Sequence, residues 1–412
     1  MNISKAAVIG AGTMGGGIGY VISAAGIEVL LKDVDQGQLD LARSHVERIY
    51  RRNVERGRME AGAAEAGLAR VRYTLEYADL GEVDLVVEAV PERMSIKRSV
   101  LEELNRRCPP HTILASNTSA LSITELGAAS GRAERVVGLH FFNPAHVMKL
   151  VEVIPGARTD PVVTQAMIDL ARRLGKTPVA VRECPGFVVN RLLMPYLNEA
   201  VICVQEGAAP VAIDAALGRE GFGWPMGPLA LMDMLGLDVC HHIIAYLDAE
   251  WGARFAEAPL LRALVEAGQL GQKSGRGFYA YGEARRGDAE TKVDALLAKL
   301  REAGQVAPAS PAAAGLGVPD RTMAMLLNEA FLCVQQEIAS VQDIDLACTS
   351  GLGMQVNWEG ERAPMGPLEY ADRVGLDVLL ARFEGLEAAL GRRFCPAAIL
   401  IEKARGGGRF IE

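Results

Sequence analysis

His140 ends the apolar run Val136-Val137-Gly138-Leu139, and Glu152 follows it by twelve residues. An imidazole exchanges protons near neutral pH. A carboxylate behind its second ring nitrogen fixes the tautomer and stabilises the imidazolium once it forms. That pairing suits general acid–base catalysis, a contribution of about 10²–10⁴-fold in rate. Taken alone, a histidine closing an apolar strand is more often a packed core residue. Its company argues otherwise: Glu88 and Glu92 follow a second apolar run, Ser116-Asn117-Thr118-Ser119 ends a third, and Asn143 lies just past the histidine. Each has a plain alternative, the Ser-Asn-Thr-Ser run as a helix N-cap above all. Together, at the ends of separate strands, they share one rim.

The elements that must build such a rim begin at the N-terminus. Residues 5–9 read as a short buried strand, and Gly10-Ala11-Gly12-Thr13-Met14-Gly15 follows at once. A helix-like segment over 14–25 is stopped by Gly26, and a second strand over 28–32 runs into Asp33. Gly10, Gly12 and Gly15 let the backbone turn tightly, approach a pyrophosphate and pack a helix close to a strand. The helix N-terminus offers amide donors and a positive dipole end to phosphates. Asp33, 23 residues after Gly10, stands where a carboxylate binds adenosine ribose hydroxyls and repels a 2′-phosphate, which favours NAD over NADP. Strand-like runs recur at 85–90, 112–115, 136–141 and 179–181 between helix-like segments. That alternation implies a doubly wound, mostly parallel sheet over residues 1–184, with ligands beyond the carboxyl ends of its strands.

Composition limits the rest. A chain of 412 residues is long enough for two or three domains. Half its residues are hydrophobic and 23% are charged, an ordinary globular balance. A net charge of −8 excludes a general nucleic-acid binder while leaving room for a local basic patch. The seven cysteines form no C-x-x-C pair, so neither a disulfide framework nor a metal site is indicated, and reduced thiols are expected. No secretory peptide is visible and no apolar run approaches the roughly 20 residues of a membrane span. A cytoplasmic location is expected.

The motifs now on the page, in order, resemble the L-3-hydroxyacyl-CoA dehydrogenases. They are Gly10 to Gly17, Val86-Val87-Glu88-Ala89-Val90, Ala115-Ser116-Asn117-Thr118-Ser119, Gly138 to Pro144 and Leu150-Val151-Glu152-Val153. Pro185-Gly186-Phe187-Val188-Val189-Asn190-Arg191, Pro225-Met226-Gly227-Pro228 and Gly271-Gln272-Lys273-Ser274-Gly275-Arg276-Gly277-Phe278-Tyr279 continue the series. Within the family the dehydrogenase half of the multifunctional fatty-acid oxidation enzymes is the best likeness, here without an enoyl-CoA hydratase portion. The resemblance implies reversible, NAD-dependent oxidation of a 3-hydroxyacyl-CoA to a 3-ketoacyl-CoA in fatty-acid β-oxidation or related acyl-CoA catabolism. It makes His140 the base, Glu152 its orienting carboxylate, and Ser119 and Asn190 hydrogen-bonding partners of the substrate. It places Asp33, Glu92, Lys97 and Asn117 at cofactor contacts, and Asn143 beside the histidine and nicotinamide.

Residues 36–62 interrupt the sheet pattern and carry Arg43, Arg48, Arg51, Arg52, Arg56 and Arg58. A solvated amphipathic helix is the plain reading; the resemblance implies a projecting helical pair that meets coenzyme A, with Arg56 and Arg52 as phosphate contacts. From 185 to about 282 the apolar spacing is helical. A region over 283–317 holds a helix-like piece, 288–303, and a linker-like run, 306–317. The lobe then repeats over 318–412: Leu197-Asn198-Glu199-Ala200 recurs at 327–330, Pro225-Met226-Gly227-Pro228-Leu229 at 364–368, and Gly236-Leu237-Asp238-Val239 at 375–378. The offset grows from 130 to 139 residues, so the second copy carries nine extra residues near 353–361. Asp320 aligns with Asn190, and neither a second glycine loop nor a second His-Phe-Phe-Asn-Pro exists. The second copy therefore reads as a structural lobe. The expected fold is an α/β Rossmann-like doubly wound sheet domain followed by two all-α lobes, the second a duplicate.

Single-lobe relatives pair through this region, so the expected state is a monomer with internally paired lobes or a homodimer. Two other readings stay open: an NAD-dependent dehydrogenase of a small hydroxy acid or a carnitine-like substrate on the same fold, and a non-catalytic NAD-binding protein. The arginine-rich arm favours an acyl-CoA substrate, and the intact set Ser119, His140, Glu152 and Asn190 favours catalysis.

Overall fold

A computed structural model describes residues 1–282, 287–306 and 317–411. The chain divides into two compact units, Met1–Phe187 and Val188–Glu412.

In the first unit eight strands, β1 (Lys5–Ile9), β2 (Glu28–Lys32), β3 (Val71–Thr74), β4 (Leu85–Glu88), β5 (Ile113–Ser116), β6 (Val136–Phe141), β7 (Leu150–Pro155) and β8 (Thr177–Ala180), form one sheet. Their order is β3-β2-β1-β4-β5-β6-β7-β8. Strands β4, β5 and β6 are buried along their whole length, as expected where helices cover both faces of a parallel sheet. The helices are α1 (Thr13–Ala24), α2 (Gln36–Glu55), α3 (Ala61–Ala69), α4 (Met94–Arg107), α5 (Ile123–Ser130) and α6 (Pro161–Arg173). Asp35 caps α2 by accepting from the Gln38 amide at 2.9 Å.

Two strands escape the sequence pattern. Only Val71 of β3 is buried, because β3 is an edge strand. Strand β7 runs antiparallel to β6, and β8 follows β7. This reversal pairs His140 with Glu152 directly across the ladder. The expected strand at 179–181 is Thr177–Ala180, earlier by about a turn of the pleat.

The second unit continues with α7 (Val189–Gln205), α8 (Pro210–Leu217), α9 (Pro228–Leu235), α10 (Leu237–Trp251) and α11 (Pro259–Glu266). Helix α12 (Gly287–Glu302) covers the expected helix-like piece, while most of the linker-like run lies outside the described residues. The second copy comprises α13 (Val318–Gln335), α14 (Val341–Ala347), α15 (Pro367–Val374), α16 (Leu376–Leu390) and α17 (Ala398–Gly406). Its extra residues are not helical: they form an antiparallel hairpin, β9 (Gln355–Trp358) with β10 (Glu361–Pro364).

The repeated motifs acquire physical reasons. In each copy an aspartate caps the helix that follows Pro-Met-Gly-Pro: Asp214 accepts from the amides of Leu229 and Ala230 at 2.9 and 3.0 Å, and Asp345 from those of Leu368 and Glu369 at 2.8 and 3.0 Å. A Cβ on Gly227 or Gly366 would run into that aspartate. The asparagine of Leu-Asn-Glu-Ala clamps a remote loop in both copies. Asn198 bonds Ala256 O and the Ala258 amide, and Asn328 bonds Cys395 O and the Ala397 amide, all at 2.9 Å. Six of the cysteines are buried and Cys395 is exposed. No single helix among the described residues is long and apolar enough to cross a membrane.

Candidate functional site

The site grows from the carboxyl ends of β1, β4, β5 and β6. At the end of β1, Gly10 adopts φ +97°, and a Cβ there would approach Ala89 O to 2.7 Å. A Cβ on Gly15 would run into Gly10 O. Gly12 has nothing within 4 Å of where its Cβ would stand. The first and third glycines thus close-pack the loop, and the second leaves open space at the start of α1, the shape a dinucleotide pyrophosphate needs. Asp33 braces this loop: Oδ2 accepts the Ala11 amide at 2.7 Å, and Oδ1 accepts Val34 N at 2.7 Å. The glycine loop and the acidic residue therefore fit an adenine dinucleotide without a 2′-phosphate.

At the end of β4, Glu88 is fully buried and is no rim group. It accepts from Ser116 Oγ at 2.6 Å, the Val90 amide at 2.7 Å and Lys97 Nζ at 2.8 Å. Lys97 is also buried, and its ammonium reaches Val90 O at 3.2 Å and Glu92 Oε2 at 3.2 Å. Three acceptors for three protons leave Lys97 acting through Glu92. Burial raises the Glu92 carboxyl, but the Lys97 charge and hydrogen bonds from Thr118 and Ser119 bring it below its ordinary range. Glu92 Oε1 collects Thr118 Oγ1 at 2.6 Å, the Ser119 amide at 2.8 Å and Ser119 Oγ at 3.1 Å. The Ser116-Asn117-Thr118-Ser119 run is therefore tied to β4, and the cap of α5 is Ser122, which accepts the Glu125 amide at 3.1 Å.

Asn117, just beyond β5, accepts the Phe141 amide through Oδ1 at 2.8 Å. It thereby holds the end of β6 where His140 stands. His140 Nδ1 meets Glu152 Oε2 at 2.7 Å, with the imidazole 7% and the carboxylate 0% exposed. Phe142 lies 4.4 Å from the His140 ring and Phe187 5.9 Å, centroid to centroid. Phe187 holds φ +53° next to Gly186 at +78°. That conformation costs a non-glycine residue about 1–2 kcal/mol, and the Pro-Gly-Phe turn spends it on seating a buried ring against the imidazole. Asn143 is exposed in the loop that follows.

Asn190 lies in the second unit, buried in the first turn of α7. Arg52 and Arg56 are exposed, Arg52 on the last turn of α2 and Arg56 just after it. Sequence reasoning missed the two aromatic neighbours of His140 and the Lys97–Glu92–Ser119 chain. The doubled phenylalanine after His140 was a signal for Phe142 alone; nothing in the spacing announced the chain, whose Ser119 lies more than twenty residues beyond Glu92 and Lys97.

Residues 5–184 match the family model described as the NAD binding domain of 3-hydroxyacyl-CoA dehydrogenase. Residues 186–281 and again 318–410 match its C-terminal domain. The alpha subunit of the fatty acid oxidation complex of Shewanella amazonensis is 37% identical over 412 residues, 99% of this chain and 56% of that one. The chain thus spans about half the length of such curated relatives. A crystal structure of 3-hydroxybutyryl-CoA dehydrogenase from Escherichia coli superimposes with TM-score 0.85 and 32% identity, covering 98% of this chain and 99% of that one. The (S)-3-hydroxybutyryl-CoA dehydrogenase of Ralstonia eutropha covers 68% of this chain with all of its own length, at TM-score 0.65 and 38% identity.

Proposed function

Because the chain belongs to the 3-hydroxyacyl-CoA dehydrogenase family, we propose that it oxidises L-3-hydroxyacyl-CoA esters to 3-ketoacyl-CoA, reversibly, with NAD. The observation that carries this reading is the buried 2.7 Å contact between His140 and Glu152 at the end of β6. Glu152 takes one imidazole nitrogen, so the other is the base that removes the proton of the 3-hydroxyl as C3 becomes a carbonyl. The carboxylate stabilises the imidazolium, and the same ring returns the proton in the reverse direction. Nicotinamide, when bound, supplies the hydride chemistry. Ser119 and Asn190 hydrogen-bond the reacting oxygen atoms of the substrate. Gly10, Gly12 and Gly15 cradle the dinucleotide phosphates, Asp33 binds the adenosine ribose, and Glu92, Asn117 and Asn143 contact the nicotinamide half, with Lys97 fixing Glu92. Arg52 and Arg56 bind coenzyme A phosphates.

The reading of a free small hydroxy acid as substrate has less support, because it leaves the exposed arginines of α2 without a role. Acetoacetyl-CoA and free acetoacetate, compared as oxidants of NADH, separate the two. His140→Gln is expected to lower turnover by about 10²–10⁴-fold while NADH affinity, followed by fluorescence, stays unchanged. Turnover at the wild-type level in that variant would remove the mechanism.

A further inference from the structure

The first unit holds a cavity of about 280 Å³ whose wall includes His45, Arg48 and Arg52 of α2, Arg56 and Arg58 beyond it, and His146 between β6 and β7. None of its lining residues is a carboxylate, although the whole chain carries a net charge of −8. Glu55, at the end of α2, pairs with Arg51, outside this wall. Four guanidinium groups facing one concave surface with no counter-charge define a site for a polyanion.

The two histidines add something that arginine cannot. Their rings meet edge to face, 5.9 Å between centroids. His45 lies against Gly16 of α1, so the first turns of the dinucleotide-binding helix back one ring. His146 packs edge-on to Tyr20 at 6.2 Å, and its Nδ1 is buried with no hydrogen-bond partner among the described residues. The groups facing the pair are Tyr20 from α1, Arg48 and Arg52 from α2, Arg56 and Arg58 from the turn after it, and Lys176 from the turn before β8. Burial, then Arg48, holds His45 below the ordinary imidazole range. Burial, then His45, Lys176 and Arg52, does the same for His146. Lys176 is itself lowered to about 8 by burial and donates to Ala145 O and Met148 O at 2.5 and 2.7 Å. Burial and the surrounding cations thus disfavour the charged form of both rings. An entering phosphate supplies the missing negative charge and turns each ring into a charge-assisted donor.

We propose that His45 and His146 are binding residues that complete this cavity for the phosphates of the acyl-CoA ester, and that the pair takes up a proton as those phosphates enter. The inference rests on the acyl-CoA reading above, which the arginines alone would satisfy without any proton uptake.

Calorimetric titration of the whole chain with coenzyme A, in two buffers of different ionisation heat at pH 7, reads the proton uptake directly. About half to one proton is expected, with affinity rising roughly three- to tenfold between pH 7.5 and 6.5. In the double variant His45→Gln/His146→Gln the uptake disappears and the affinity loss is confined to the lower pH. Titration of the ligand's own phosphates is common to both proteins and cancels. Zero uptake by the wild type, or undiminished uptake by the double variant, overturns the proposal. A second double variant, Arg52→Gln/Arg56→Gln, tests the premise: it should weaken coenzyme A binding at every pH. Unchanged binding there rejects the acyl-CoA reading of this cavity, and the histidine proposal with it. NADH affinity reports on folding in all variants.

Discussion

The two helical copies share a scaffold and differ at its edges. Their shared part is reciprocal: Arg191 of α7 pairs with Glu329 of α13 at 2.9 Å, and Arg321 of α13 pairs with Glu199 of α7 at 2.5 Å. Arg254 adds to Glu329 at 2.8 Å, and Arg393, its counterpart, adds to Glu199 at 3.0 Å. This exchange, in which each residue meets its partner's equivalent, is the signature of a two-fold interface, here within a single chain. What differs is local. The first copy has Asn190 where the second has Asp320, whose carboxylate pairs with Arg382 at 3.0 Å. The second copy alone has the hairpin, and the hairpin grips the first. Asn357 donates its amide to Phe222 O at 2.8 Å and its Nδ2 to Gly221 O at 2.7 Å, and Arg362 Nε reaches Gly223 O at 2.8 Å. Gly223, at φ +126°, has no room for a Cβ against that strand. Duplication thus preserved the interface while the two copies became unequal elsewhere: one holds a candidate substrate group, the other a clamp.

The comparison can be broken at its centre first. Glu329→Gln and Glu199→Gln should each cost stability in denaturant unfolding, up to about 3–5 kcal/mol, because each takes a carboxylate from a buried arginine; the loss at Glu199 should be the smaller, since Arg321 keeps Glu206, and no loss at either would deny the reciprocity. Next is the chemistry. Asn190→Ala should lower kcat/KM by roughly 10²-fold, while Asp320→Ala stays within about twofold; equal losses would make both copies catalytic contributors. If the lobes pair internally, the chain should sediment at its own mass, 44.0 kDa, and a dimer joined through the helical lobes would contradict that. The hairpin is a smaller effect: Asn357→Ala should cost about 1–3 kcal/mol, and amide exchange should speed up at residues 219–223 of the first copy. The smallest effect is on pH dependence. Burial pushes Asp345 from 3.8 up to about 6, against the pull of the Leu368 and Glu369 amides. A carboxyl raised on folding contributes stability that is full below 3.8 and is lost as pH rises through about 6. This group should therefore lower the melting temperature slightly between pH 4 and 6, and Asp345→Asn should flatten that slope.

Much of this was legible in the chain because it depended on local rules. The glycine loop and Asp33 could be read from spacing, since a tight turn between strand and helix admits few residues. Repeats such as Leu-Asn-Glu-Ala were visible as letters, but not the reason for them. Asn198 and Glu199 act on residues more than fifty positions away, and no window of sequence contains both ends. Strand β3 was missed because an edge strand with one buried residue carries no apolar run. The nine extra residues of the second copy were counted correctly, but their hairpin, and the loop it grips, were not foreseeable.

By itself the sequence determined most of the helices and the buried strands, the position of the nucleotide loop, the single occurrence of the His140 motif and the duplication, because periodicity, glycine placement and unique residues are one-dimensional properties. The tertiary structure decided that β7 turns back beside β6 and sets Glu152 against His140, that Lys97 is spent on Glu88 and Glu92, and that two distant histidines share a cavity with four arginines. Those outcomes depend on strand direction and burial, which only packing settles: a buried charge must find its partner wherever the fold brings one.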